Sequence, residues 1–295
     1  MANPEPGPVI YLITVNYNSA DWIARLLASL QSETEPYRLI VVNNSPADLQ
    51  VTRLSSPALT HLEAGDNLGF GGGCNLGLQW VYQQDPRAIV WLINPDATLP
   101  AGMVQQCRAF WQAHPNDAIV GTSITEPSGK VWFAGGWFNC KTGAIWMATE
   151  APEPEATYLP CDWVSGCSLM LNLACFVTCP QFDPAYFLYY EDFDFCRRYA
   201  SQGYSVGWAT RLQVIHTPSA ITDRNQRLKL QHSTYSYLLT LERYTNGLIA
   251  PLRLLRILTV ALLLFPLQRE AALGKWTGIL LYLRRVVQRE FPLSG

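Results

Sequence analysis

Residues 9–44 read VIYLITVNYNSADWIARLLASLQSETEPYRLIVVNN, and the change of period inside them decides the fold. VIYLITVN at 9–16 and LIVVNN at 39–44 are near-continuous apolar runs rich in β-branched residues. Such runs suit strands of a parallel sheet covered on both faces. Between them Trp22, Ile23, Leu26, Leu27 and Leu30 recur at helical spacing, so the segment predicts a βαβ unit. A third run, AIVWLIN at 88–94, follows a helical stretch around Leu76 to Tyr82. Together they predict a doubly wound α/β sheet.

Each of the three runs stops on asparagine: Asn16, then Asn43 and Asn44, then Asn94. In open α/β sheets the ligand crevice lies beyond the carboxyl ends of the strands, so these amides converge on it, although asparagine also simply suits turns. GDNLGFGGGCNLGLQW at 65–80 holds six glycines. Glycine lets backbone approach a ligand closely, and a helix N-terminus after it offers N–H groups to phosphate. As a dinucleotide fingerprint the stretch is incomplete: Cys74 stands where the third glycine belongs, and no strong strand immediately precedes it. A plain flexible turn is the other reading.

WLINPDATLP at 91–100 sets Asn94 and Asp96 two residues apart at the end of a rigid strand. Two oxygen ligands plus substrate phosphates is a common way to hold Mg²⁺ or Mn²⁺. A turn or helix-capping aspartate is the alternative. Farther on, FDPAYFLYYEDFDFCRRYASQGYSVGW at 182–208 predicts a helix from near Glu191 to Gly203. Its apolar stripe takes in Asp192, Phe193, Cys196, Tyr199 and Ala200, which turns the Asp192 carboxyl inward and makes it a candidate general base. Asp194 falls on another face, in ion-pair range of Arg197 and Arg198. His216 ends the strand-like YSVGWATRLQVIH. WFAGGWFNCKTGAIW at 132–146 offers aromatics either to stack on a substrate or to the core of a hairpin.

The 295 residues, 49% of them apolar, suffice for a sizeable core and exclude a disordered chain. The formal charge of −2 divides unevenly: residues 248–295 hold seven Lys/Arg against two Asp/Glu, +5, which leaves −7 on the rest. Nucleic acid is not an expected partner. The eight cysteines show no CxxC pair and read as reduced thiols. MANPEPGPVIY lacks the basic stretch and apolar region of a secretory signal, so the expected location is cytoplasmic.

These motifs, taken in order over about residues 8–220, resemble a family 2 glycosyltransferase of the inverting class with a GT-A fold, in its rhamnosyltransferase-like branch. TVNYNS at 14–19 and VVNNS at 41–45 are similar to its nucleotide-binding strand ends, and NLGFGGGCNLG at 67–77 resembles its NxGfaxaxNxG loop. The resemblance implies a nucleotide-sugar site at Thr14, Asn16, Asn18, Asn43, Asn44, Asn67, Gly69, Asn75 and Asn94. NPDA at 94–97 stands at the DXD-type metal motif, which implies Asp96 as metal ligand, with His216 near the metal and diphosphate. VSGCSLML at 164–171 is similar to the strand entering the acceptor region. YYEDFDFCRR resembles the ED motif, implying Asp192 as base and Glu191 beside it in the catalytic pair. Asn43 replaces the usual nucleotide-gripping aspartate, and Asn94 replaces the first acid of DXD.

The implied architecture is a mostly parallel sheet between helices over residues 1–222, followed by a helical region over 223–295. The implied reaction moves a sugar, rhamnose on the branch resemblance, from a nucleotide-diphosphate sugar to a glycan or lipid-linked acceptor, with Mg²⁺ or Mn²⁺. A dinucleotide-dependent oxidoreductase and a non-catalytic membrane-associated module are the competing readings. In the tail, Tyr237, Leu238, Leu241 and Tyr244 are spaced for a helix, with Arg224 and Lys229 near phosphate reach. LIAPLRLLRILTVALLLFPLQ at 248–268 resembles a membrane span, but Arg253 and Arg256 leave only 257–267 uncharged, too short for the roughly 20 residues of a crossing. Ile279, Leu280 and Leu283 edged by Arg284, Arg285 and Arg289 suit either peripheral contact with the inner, cytoplasmic-face leaflet or a helical pair packed on protein, homo-oligomer included.

Overall fold

The computed structural model describes residues 9–150, 156–218 and 225–290. Arg224, the side chain of Arg289 and the expected 222/223 boundary lie outside the described residues. In chain order the elements are β1 (Ile10–Asn16), α1 (Ala20–Ser29), β2 (Tyr37–Asn43), β3 (Leu59–Glu63), α2 (Gly69–Gln84), β4 (Ile89–Ile93), β5 (Ala97–Thr98) and α3 (Met103–Ala113). Then come β6 (Ile119–Thr125), β7 (Val131–Phe133), β8 (Gly136–Asn139), β9 (Ala144–Met147), β10 (Tyr158–Pro160), β11 (Ser168–Asn172), α4 (Glu191–Ala200) and β12 (Val206–His216). Three helices close the chain: α5 (Gln226–Tyr244), α6 (Ile249–Leu264) and α7 (Arg269–Glu290).

The main sheet runs β10-β12-β6-β11-β4-β1-β2-β3, with β5 beside β12 and β7 beside β6. β3, β2, β1 and β4 are parallel, and β12 is parallel to β6, whereas β11 runs antiparallel between β4 and β6. Chain order therefore reverses between β1 and β4, the switch point at which ligands bind in such sheets. The alternation of β1 places Ile10 and Leu12 on one face with Ile23, Leu26, Val104 and Cys107 of α1 and α3. Tyr11, Ile13 and Val15 meet Cys74, Leu78 and Val81 of α2 and Phe195 of α4 on the other. The sheet is thus buried on both faces, as its continuous apolar runs require.

Two sequence expectations need correction. The glycine-rich stretch is not a long loop: it turns at Gly65 and is helical from Gly69. Its glycines serve packing, since a Cβ at Gly73 or Gly77 would come within 2.6 Å of Val15 or Ile13, so α2 can lie directly against β1. A strand does precede it: β3 is a half-buried edge strand, LTHLE, whose polar residues hide the apolar signal. The aromatic segment forms the β8–β9 hairpin with Trp137 opposite Trp146, the latter half exposed. All eight cysteines are free, as expected.

Candidate active site

The carboxyl ends of β1, β2 and β4 open into one cleft of about 610 Å³, whose wall is completed by the turn before β11, the start of α4 and the start of α5. Asn18, Asn44, Asn67, Gly69, Asn94, Asp96, Glu191, Asp192 and His216 all line it. Asp96 and Asp192, 96 positions apart in the chain, therefore share a single space.

Thr14, Asn16, Asn43 and Asn75 are not on the wall. Thr14 and Asn16 are fully buried. Asn16 Nδ2 donates to Asn43 Oδ1 at 3.0 Å and to Asp48 Oδ2 at 3.1 Å, while its Oδ1 accepts from Ser19 N. Asn43 Nδ2 donates in turn to Glu63 Oε2 at 2.9 Å. These amides knit the strand ends together rather than reach a ligand directly. Asn75 forms a two-way bond with the Phe182 backbone, at 2.9 and 2.7 Å, and fastens α2 to the segment leading into α4. Asn44 has both jobs: it faces the cleft and bonds Asn67, Gly69 O and Leu68 N, holding the entry to α2.

Gly69 is required by its surroundings. Its φ is +75°, and a Cβ there would stand 2.1 Å from Phe187 O, which accepts from Phe70 N at 3.1 Å. The start of α2 is thereby docked on the Phe187–Tyr190 loop, in which Tyr189 and Tyr190 both take left-handed φ, 67° and 64°. Adjacent left-handed tyrosines are strained, and their strain turns the chain into α4 with its acids toward the cleft.

Asp96 sits where β4 ends, and His216 where β12 ends; β5 pairs with β12 in a register that sets His216 opposite Ala97. His216 Nε2 lies 3.2 Å from Asp96 Oδ1, with both side chains 5% exposed. Asp96 Oδ1 and His216 Nδ1 are buried without a hydrogen-bond partner. Trp132 packs edge-on against the imidazole at 4.8 Å and lines the cleft. A hard divalent cation accepts a carboxylate oxygen and an imidazole nitrogen, so these two residues fit one. Among the described residues no set of three or more His, Cys, Asp or Glu could hold an ion alone. The remaining positions would fall to phosphate oxygens and water.

From α4, on another wall of the cleft, Asp192 Oδ2 accepts from Gly166 N and Oδ1 from Phe193 N, both at 2.8 Å. Burial raises its pKa, and those backbone N–H bonds hold the rise in check. Glu191 is more deeply buried, with Oε2 unpartnered. Burial first, and the neighbouring Asp192 charge second, push its pKa well above the ordinary glutamate value and so favour its protonated form. The Cys167 thiol feels both walls: burial, then Asp96, then Asp192 raise its pKa.

The expected faces of α4 are exchanged in one respect. Asp194 is the acid that is fully buried, while Asp192 keeps partial access through the cleft. Asp194 accepts from Arg198 Nε at 3.2 Å, Arg243 Nη1 at 2.9 Å and the Tyr244 hydroxyl at 2.8 Å. Arg197 pairs instead with Asp162. The reason is α5, which covers the face that α4 alone would leave to water. Sequence reasoning also missed Phe187 and His232, which stacks on Phe187 at 4.8 Å, and held Tyr17 and the Ser165–Cys167 turn only as parts of quoted motifs. Trp132 was legible only as part of an aromatic-rich stretch.

Residues 11–154 match the family model described as glycosyl transferase family 2. An N-acetylglucosaminyl-diphospho-decaprenol L-rhamnosyltransferase of Mycobacterium tuberculosis is 25% identical over 270 residues, 83% of this chain and 88% of that protein. Two solved structures share the fold. GalNAc-T7 with UDP, GalNAc and Mn²⁺ has TM-score 0.58 and 11% identity over 81% of this chain, which spans 51% of that one. The mannosyltransferase PcManGT of Pyrobaculum calidifontis, in complex with GDP-Man and Mn²⁺, has TM-score 0.53 and 15% identity over 99% of this chain and 90% of that one. The architecture is that of the GT-A glycosyltransferases.

Proposed function

We propose that this chain, which carries a family 2 glycosyltransferase domain, moves a hexosyl unit, rhamnose by likeness to its relative, from a nucleotide-diphosphate sugar to a saccharide or lipid-linked hydroxyl. The displacement is single and inverts the anomeric centre. One observation carries the reading: a buried Asp–His pair fit for a cation and a backbone-held carboxylate of raised pKa line one cleft.

Asp192 takes the proton of the acceptor hydroxyl as that oxygen bonds to the anomeric carbon. The bond from this carbon to the diphosphate breaks, and its electron pair leaves with the diphosphate. Burial makes Asp192 a stronger base than an exposed aspartate, and the Gly166 and Phe193 N–H groups fix its direction. Burial and the Asp192 charge both disfavour ionisation of Glu191, which works against a second charge beside it. Asp96 and His216 would hold Mg²⁺ or Mn²⁺, of which Mn²⁺ is the ion bound in both structural relatives. When bound, that ion supplies positive charge to the departing diphosphate. Asn18, Asn67 and Asn94 offer amides on the donor side, and Thr14, Asn16, Asn43 and Asn75 act from behind by holding the wall. The same reading places the chain in the cytoplasm, at the inner face of a membrane where the acceptor is lipid-linked.

A thermal-shift panel tests the proposal. Stabilisation by UDP- or dTDP-linked sugars that requires Mn²⁺ or Mg²⁺ supports it. Stabilisation by NAD, or by no nucleotide sugar in the presence of cation, overturns it.

A further inference from the structure

The C-terminal helices present a surface for which the reaction above has no use. α6 is apolar around most of its circumference, yet only one side is covered. Leu254, Ile257 and Leu258 pack on Leu238, Ile279 and Tyr282 of α5 and α7. Leu252, Leu255, Leu262 and Leu263 are 60 to 70% exposed, and Leu280 and Val287 of α7 add to the open area. A helix apolar on all sides belongs in a core or in lipid, and an apolar patch this long is unusual on a monomer facing water. The 16 residues of α6 span about 24 Å, short of the roughly 30 Å of a hydrocarbon layer. Among the described residues no helix is long and apolar enough to cross a membrane.

The charges around this face are predominantly positive. Lys141, at the β8–β9 turn, forms with Arg253 and Arg256 a groove beside Leu252. Arg269 lies over the Phe265 ring at the corner between α6 and α7, and Arg284 is exposed beside Leu280. The sole acid in the sequence of 249–288 is Glu270. We infer that this face lies on an anionic phospholipid bilayer, its leucines among the acyl chains nearest the headgroups and its basic side chains on the lipid phosphates.

Helix direction relates this face to the cleft. Gly274 abuts Arg227 and Leu230, Gly278 abuts Gln231 and Thr234, and Arg285 pairs with Glu242, so α5 and α7 run parallel and start together. The first turns of α5 give Leu228, Lys229 and His232 to the cleft. The exposed corner formed by Leu262, Leu263, Phe265 and Leu267 therefore stands at the cleft end of the helical layer. Resting on the proposed transfer reaction, this assigns the acceptor to amphiphiles: the tail stays in the bilayer while the headgroup hydroxyl reaches Asp192.

Flotation of the full chain tests the inference, with vesicles of phosphatidylcholine alone and of phosphatidylcholine mixed with phosphatidylglycerol. The chain is expected to float with the mixed vesicles and to be released by high salt. The Leu262→Glu/Leu263→Glu variant alters exposed side chains that do not line the cleft, so it should melt like the parent and lose vesicle partition by at least about tenfold. A parent chain that floats with neither vesicle overturns the inference, as does a variant that floats undiminished. So does a dimer in light scattering that the double substitution dissociates without any flotation, since a second copy then covers the face. Donor binding is read separately: a chain that floats but binds no nucleotide sugar keeps the surface and refutes the transfer reaction, and the converse result refutes the surface alone.

Discussion

Replacing Asp192 by asparagine separates the chemistry of the cleft from its scaffolding. The substitution conserves volume, but the carboxylate accepts from two backbone N–H groups and an amide oxygen can serve only one well. The stability loss should be about 1–3 kcal/mol, that of one unsatisfied buried donor. Loss of a general base costs about 10² to 10⁴ in rate, or roughly 3–5 kcal/mol of barrier at about 1.4 kcal/mol per decade. Transfer is measured by nucleoside diphosphate release under saturating donor and acceptor, and donor affinity by calorimetry without acceptor. The Asp192→Asn variant should lose at least about a hundredfold in kcat with donor affinity nearly unchanged. The parent offers a second signature. Because burial raises the Asp192 pKa, its activity should fall on acidification at a pH above that expected of an exposed aspartate, and this limb should vanish in the variant. Transfer within a few-fold of the parent, or an unchanged acid limb, would refute the assignment.

Glu191→Gln should stabilise the protein at neutral pH. Burial raises the Glu191 pKa above the roughly 4.3 of the unfolded chain, so the parent loses stability as pH rises from there toward the folded pKa; the melting-temperature gap should widen as pH rises above about 5, and a constant gap contradicts this. Asp96→Ala should abolish the cation-dependent part of nucleotide binding, and equal donor affinity with and without chelator in the parent removes Asp96 from any metal site. Gly69→Ala should cost about 2–5 kcal/mol in denaturant unfolding, combining a left-handed backbone with overpacking on Phe187 O. Gly129→Ala, left-handed but with open space around it, should cost only about 1–2 kcal/mol, and equal losses would show the Phe187 contact to be soft.

What sequence disclosed followed from periodicity and local chemistry. β1, β2 and β4 were legible because strands buried on both faces are apolar throughout, and their asparagine ends marked the crevice. β3 was not, because an edge strand half open to water carries His61 and Glu63 like a loop. The glycine stretch looked like a turn since propensity opposes helix there; close packing on Val15 and Ile13 overrides it. Asp96, Asp192 and His216 were found by position in motifs, whereas their convergence depends on β5, β11 and the strained loop before α4, which no local pattern announces. The ion pair of Asp194 with Arg198 was legible, but its burial was not, for a related reason: a helix considered alone cannot show that a distant helix will cover its other face.

That covering gives the junction between sheet and helical layer the character of a keystone. Arg243 and Tyr244 come from the last turn of α5, yet they neutralise an acid two residues after the proposed base. A chain cut ahead of α5 would leave Asp194 with Arg198 as its sole cationic neighbour and would lay bare Tyr186, whose hydroxyl bonds Thr240. Chimeras that exchange the C-terminal helices between relatives should hence survive only when the graft brings along an arginine and a phenol at these two places, whatever surface or acceptor the new helices prefer.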